Sequence, residues 1–189
     1  MSPVYCALVH YPVLDRQGEE VSTSVTNIDV HDIARSARTY GVRGYFIVTP
    51  IEAQRPVVER IVDHWSSGAG AARIPERSEA LALVRLCASI DEAIAAIEQR
   101  EGKRPRLVAT SAQSGPKRVS WAEEAARLRT ESRPVLLLFG TGHGLSGRLL
   151  ARADAVLEPI FGPTDFNHLS VRAAAAVALD RLIGVRGSV

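Results

Sequence analysis

Short apolar runs alternate with longer stretches of helical period along the whole chain. Strand-like runs fall at Val4–Val9, Gly44–Val48, Leu81–Cys87, Arg106–Thr110, Pro134–Phe139 and Ala155–Leu157, and helical patterns begin near Val30, Pro50, Ile90, Trp121, Ser146 and His168. The strands are nearly continuous in apolar residues rather than alternating, which predicts a parallel sheet covered by helices on both faces. Helix-start signals follow the strands at Thr49-Pro50-Ile51-Glu52, Ser89-Ile90-Asp91-Glu92 and Ser120-Trp121-Ala122-Glu123. Each sets a hydroxyl and a glutamate three residues apart, where both can satisfy orphaned amides. The segment Val13–Asn27 is polar and uneven and reads as a mobile lid or target-contacting loop, and Ser66–Gly70 reads as a flexible loop.

Length and composition fit this picture. A chain of 189 residues, 46% hydrophobic and 23% charged, suits one folded domain. No apolar run approaches the roughly 20 residues of a membrane span. The start Met1-Ser2-Pro3-Val4 lacks the pattern of a signal peptide, so the cytoplasm is the expected compartment. Cys6 and Cys87 lie in strand-like runs without a CxxC or a histidine at ligand spacing, so they read as small core residues and no metal is expected. The net charge of +2 leaves any nucleic-acid contact to local clusters. Arg55, Arg73, Lys103, Arg104, Lys117 and Arg118 are candidates for a phosphate-contacting rim, with ordinary surface solvation as the alternative.

Candidate chemistry concentrates where strands end. Leu136–Leu145 (LLLFGTGHGL) empties a strand into a loop carrying Gly140, Gly142 and Gly144. Residues 142–147 literally fit GxGxxG, which raises a dinucleotide-dependent oxidoreductase as one reading. That fingerprint normally opens a first βαβ unit, however, and here it follows the fifth strand. An ordinary tight turn fits as well. A second segment joins Leu157-Glu158-Pro159-Ile160 to Asn167-His168-Leu169-Ser170-Val171-Arg172-Ala173-Ala174-Ala175, a loop running into an alanine-rich helix. Helix amides there could bind an anion, or Asp165 or Asn167 could simply cap the helix. A third loop, Thr110-Ser111-Ala112-Gln113-Ser114-Gly115, is rich in small polar residues. His10, after the first strand, could contact a substrate or be a plain loop histidine.

Taken together, the glycine loop, the Leu-x-Pro-Ile loop and the Asn-x-x-Ser-Val-x-Ala-Ala-Ala helix resemble the SPOUT superfamily of trefoil-knotted RNA methyltransferases. The likeness is nearest to its tRNA guanine-N1 and 2′-O-ribose branches. Residues 27–42 are similar to the first motif of the ribose branch, in which an Asn stands six residues before an Arg and Gly-Val leads into a strand. Arg35, Gly41 and Val42 match, and Asp29 replaces the Asn, which leaves the ribose target open.

The resemblance implies a single α/β domain over 1–189, with about six mostly parallel strands, helices on both faces and a deep C-terminal trefoil knot. A substrate-side half would span about 1–105 and a cofactor-binding half about 106–189. It implies S-adenosylmethionine as cofactor, a tRNA or rRNA substrate and a homodimer formed through the knot helices. Thr110, Ser111, Gly140, Gly142, Gly144, Leu157, Pro159, Ile160, Asn167, Leu169 and Ser170 would hold the cofactor. Arg35 would be catalytic, with Asp29 orienting it or accepting a proton. A non-catalytic module that keeps the pocket to bind RNA or protein is the remaining alternative.

Overall fold

The computed structural model describes residues 1–67, 69–115 and 118–185; Gly68 and Lys117, named above, lie outside the described residues. Seven strands form one sheet in the order β5-β4-β1-β8-β6-β9-β7, and every pairing in it is parallel. They are β1 (Val4–Val9), β4 (Tyr45–Val48), β5 (Val84–Cys87), β6 (Arg106–Ala109), β7 (Arg118–Val119), β8 (Val135–Gly140) and β9 (Ala155–Leu157). The helices are α1 (Asn27–Thr39), α2 (Arg55–Ser66), α3 (Ala69–Arg73), α4 (Pro75–Leu81), α5 (Ile90–Glu101), α6 (Trp121–Thr130), α7 (Gly147–Arg152) and α8 (Val171–Ile183).

Side chains alternate along β1 between two cores. Val4, Cys6 and Leu8 face the layer that holds α1, α6 and α8, while Tyr5, Ala7 and Val9 face the layer that holds α5 and α7. Both faces of the sheet are therefore covered, as continuous apolar strands require. Both cysteines are buried thiols. Burial pushes the Cys87 thiol up to about 11.

Several elements differ from the sequence reading. Val13–Asn27 contains an antiparallel hairpin, β2 (Val13–Leu14) with β3 (Glu20–Val21), and Val13 is fully buried. Asp15 closes its turn by accepting from the amides of Gln17 and Glu19. The strand expected from Leu81 begins at Val84, because Leu81 is the buried last residue of α4. The helix expected at Pro50 starts at Arg55, after a short 3-10 turn (Glu52–Gln54); Thr49 Oγ accepts from the Ile51 amide instead of forming a capping box. Proline at Pro56, rather than Pro50, fills the first-turn position where no amide is needed.

The helix expected near Val30 begins at Asn27 behind Thr26, and the one expected near His168 begins at Val171 behind Ser170. Of the two remaining capping boxes, that of Ser120 and Glu123 is complete. At Ser89 the glutamate half differs, since Glu92 accepts from the Ala88 amide. The strand β7 is an addition, paired only over Arg118–Val119 with β9.

Candidate functional site

A parallel sheet brings the carboxyl ends of its strands to one edge, and the loops after β6, β8 and β9 meet there. The β8 loop folds back tightly. A Cβ on Gly140 would lie 2.7 Å from the Leu145 amide nitrogen and 2.9 Å from the Gly144 carbonyl carbon, so backbone occupies the space a side chain would take. Gly142 has φ +60°, and a Cβ there would approach the Leu14 carbonyl oxygen to 2.8 Å. The β2 strand pairs with this loop, since the Leu14 amide donates to Gly144 O at 2.9 Å and the His143 amide to Leu14 O at 2.9 Å.

The β6 loop is fixed at its root by Thr110, whose hydroxyl and amide both donate to Leu138 O. Ser111 Oγ accepts from the Gln113 amide. Asn167 does not cap α8. Its Nδ2 donates to Ala112 O at 2.9 Å, tying the β9 loop to the β6 loop, while Ser170 Oγ caps the helix through the Ala173 amide. Leu157 and Pro159 are buried, Ile160 packs on the core, and Leu169 is 47% exposed.

This arrangement fits S-adenosylmethionine. Without side chains at Gly140 and Gly142 the loop packs on itself and on β2 backbone to backbone, so a ligand at this edge would meet backbone groups rather than side chains. Leu157, Pro159, Ile160 and Leu169 would supply apolar contacts to such a ligand, and Thr110, Ser111, Asn167 and Ser170 small polar groups.

Arg35 lies on the outer face of α1, its side chain 61% exposed, with Asp32 at 4.0 Å. It lines a groove between α1 and α8 together with Ser170, Arg172 and Ala173, so the first motif and the last loop share one surface. Asp29 does not meet Arg35. Six positions along a helix place two side chains roughly 120° apart, and the Asp29 carboxylate instead accepts from Thr26 Oγ1 at 2.6 Å and from Arg172 at 3.2 Å. Arg172 also reaches Asp32 at 3.8 Å, so Asp32 stands between two arginines.

Arg172 was not singled out by sequence reasoning, although a signal existed. A cation in the first turn of a helix opposes the helix dipole and needs an acidic partner.

His10 is fully buried at the end of β1. Its Nδ1 lies 3.0 Å from Thr23 Oγ1, which lies 2.5 Å from Thr141 Oγ1, itself donating to Val9 O. Burial lowers the imidazole pKa to about 4, against the opposing pull of the Asp29 charge. Neither threonine was foreseen as part of the site.

The proposed basic rim is not contiguous. Lys103 and Arg104 precede β6 and so lie at the opposite edge of the sheet from the loops, Arg118 donates to Gln113 O within the β6 loop, and Lys117 lies outside the described residues. Among the described residues no group of three or more His, Cys, Asp or Glu could hold a metal ion, and no helix is long and apolar enough to cross a membrane.

A family described as SAM-dependent RNA methyltransferase matches residues 3–184. A tRNA (guanine-N(1)-)-methyltransferase of Oleidesulfovibrio alaskensis is 47% identical over 181 residues, covering 96% of this chain and 42% of that protein. An uncharacterised protein of Aquifex aeolicus is 46% identical over 179 residues, covering 95% of this chain and 87% of that one. The chain thus spans less than half of the O. alaskensis protein and most of the A. aeolicus one. Among solved structures, a probable methylase family protein from Haemophilus influenzae superposes with a TM-score of 0.64 at 16% identity, over 96% of this chain and 65% of that one.

Proposed function

The chain belongs to the SAM-dependent RNA methyltransferase family, and from that premise we propose that it methylates tRNA or rRNA as a homodimer, with the three loops after β6, β8 and β9 as its cofactor site. One observation supports this reading: Asn167 of the β9 loop is bonded to Ala112 of the β6 loop, tying two of these loops together at the sheet's carboxyl edge. Three sequence-distant loops at one carboxyl edge suit a ligand bound largely through backbone groups. The name of the O. alaskensis relative favours tRNA among the RNA classes.

In this reading Gly140, Gly142 and Gly144 present backbone to the adenosine, with Leu157, Pro159, Ile160 and Leu169 around the ring. Thr110, Ser111, Asn167 and Ser170 offer polar contacts to the rest of the molecule. When bound, S-adenosylmethionine supplies an electrophilic methyl group on its sulfonium. The protein's task is then to align an acceptor with that methyl and to hold the RNA still.

Arg35, exposed at the groove beside Ser170, suits bidentate binding of an RNA phosphate next to the acceptor. Asp29 supports it indirectly by anchoring Arg172, which shares Asp32 with Arg35. Half-exposed Ala173 and Ala176 on α8 are small enough for close approach of a second copy, and the proposed fold includes a C-terminal knot through these loops.

The test is calorimetric titration with S-adenosylmethionine and S-adenosylhomocysteine, with NAD as control, followed by labelled-methyl transfer to separated tRNA and rRNA pools. Saturable binding of the sulfur ligands near one per subunit and label in an RNA pool are expected. Binding of NAD alone, or no label in either pool, would overturn the reading.

A further inference from the structure

His10 is a buried histidine that the proposed cofactor site does not use, and its hydrogen bonds fix which nitrogen carries the proton. Val9 O can only accept, so Thr141 spends its single hydroxyl hydrogen there. Thr141 Oγ1 must then accept from Thr23, whose hydroxyl hydrogen is in turn spent. Thr23 Oγ1 is left to accept, and His10 Nδ1 is the donor. With the hydroxyls arranged this way, the neutral ring carries its proton on Nδ1 and a bare lone pair on Nε2. That Nε2 is buried and has no hydrogen-bond partner among the described residues.

A buried acceptor without a donor is costly and calls for a reason. The position supplies one. By the alternation of β1, His10 faces the layer of α1 and α8, where Asp29 and Arg172 meet. It also stands where the strand order turns, with β4 on one side of β1 and β8 on the other, the place where open α/β sheets take ligands.

A strap runs beside the ring at Thr23. Residues 22–26 are an unpaired extended strap in which Thr23 and Val25 are half-buried and Ser22, Ser24 and Thr26 are exposed. The strap is anchored at Thr23, whose amide donates to His10 O and whose hydroxyl bonds His10 and Thr141, and further on by the Val25 amide on the Gln54 side chain. Between these anchors and the α1 cap, Ser24 is the exposed residue with the most freedom to move.

We propose that His10 Nε2 accepts a hydrogen bond from an N–H or O–H group of the target nucleotide once the cover over the ring shifts with Thr23 kept in place, and that the Thr141–Thr23 chain presets the tautomer for it. The contact orients the nucleotide rather than carrying off its proton, because a ring this hard to protonate is a poor base. The inference rests on the RNA-methyltransferase reading above, but its first test does not.

Nitrogen-15 NMR of the histidine rings in the free protein should show His10 protonated on Nδ1 alone. Protonation on Nε2 would overturn the proposal. Adding a bulk tRNA pool should move the His10 Nε2 resonance, and an unmoved resonance would overturn it too. In methyl transfer to that pool, His10→Phe should keep S-adenosylmethionine affinity within about twofold while kcat/KM for RNA falls by about tenfold or more, the loss of one specific hydrogen bond. Thr23→Val, which keeps the volume but frees the ring, should lose less. Wild-type kcat/KM in His10→Phe would remove the residue from recognition. A wild-type protein that transfers no methyl while tRNA still moves Nε2 would sink the enzymatic reading and leave the acceptor site standing.

Discussion

Arg35 and His10 carry opposite kinds of information at the residue scale. Arg35 is exposed and only loosely paired with Asp32, so its removal leaves no buried charge behind and should barely affect folding. Arg35→Ala is expected to bind S-adenosylmethionine within about twofold of wild type and to transfer methyl groups roughly a hundredfold more slowly, a positioning loss that tritium transfer assays would read. Unchanged turnover would take Arg35 out of the mechanism. His10 acts on stability instead. Its pKa is lowered from 6.5 to about 4 by burial, so between those values the unfolded chain binds a proton that the native protein refuses. Stability is therefore full above pH 6.5 and falls as pH drops toward 4. Between pH 7 and 5 the loss from His10 amounts to about 2 kcal/mol, before carboxylates held low, such as Asp91 and Glu101, begin to protonate. His31, lowered chiefly by burial and then by Arg77, adds loss of the same sign. Urea unfolding at the two pH values should show this drop, reduced in His10→Phe; an equal drop in both proteins would contradict the assignment.

At the element scale the proposed cofactor site leans on the β8 loop, whose path leaves no room at Gly140. The obstructing atoms belong to backbone, so the loop itself must shift if a methyl group is added. Gly140→Ala is accordingly expected to weaken S-adenosylmethionine binding by about tenfold or more while the apolar run of β8 keeps the sheet intact, as calorimetry with circular dichroism would separate. Gly142→Ala should act the same way through Leu14 O. Much of this element logic was legible in the sequence. Continuous apolar runs in β1, β8 and β6 implied a parallel sheet, and parallelism alone puts the three loops at one edge. The elements that escaped are those whose cause is not periodic. The β2–β3 hairpin has only Val13, Leu14 and Val21 as apolar marks and depends on the Asp15 side chain for its turn. Leu81 continues an apolar run but belongs to a helix, because Pro75 starts α4 only six residues earlier. Within the site, Asp29 was read as Arg35's support because both lie in one motif. Its actual partner is Arg172, 143 residues away, a separation that no spacing rule spans.

Coupling between the two halves of the chain follows from the sheet order of the whole molecule. The strands of the first half, β5-β4-β1, meet those of the second, β8-β6-β9-β7, along the single β1–β8 seam, where six residue pairs run from Val4 with Val135 to Val9 with Gly140. The Thr23–Thr141 bond and the Asp29–Arg172 pair cross the same division on one side of the sheet. The proposed cofactor loops all lie in the second half but lean on the first through Leu14 and the α1–α8 groove. A ligand that fills those loops therefore binds only when both halves are assembled, and its binding energy becomes stability of the entire domain. At a concentration of about 100 times its Kd, a ligand specific for the native state adds roughly 2.7 kcal/mol. For a domain of this size each kcal/mol shifts Tm by roughly 2–4 °C, so S-adenosylhomocysteine at that excess should raise Tm by about 5–10 °C in one cooperative transition. A homodimer formed through α8 would in addition make Tm rise with protein concentration. Two separated transitions, with the ligand moving only one of them, would show that the seam does not couple the halves.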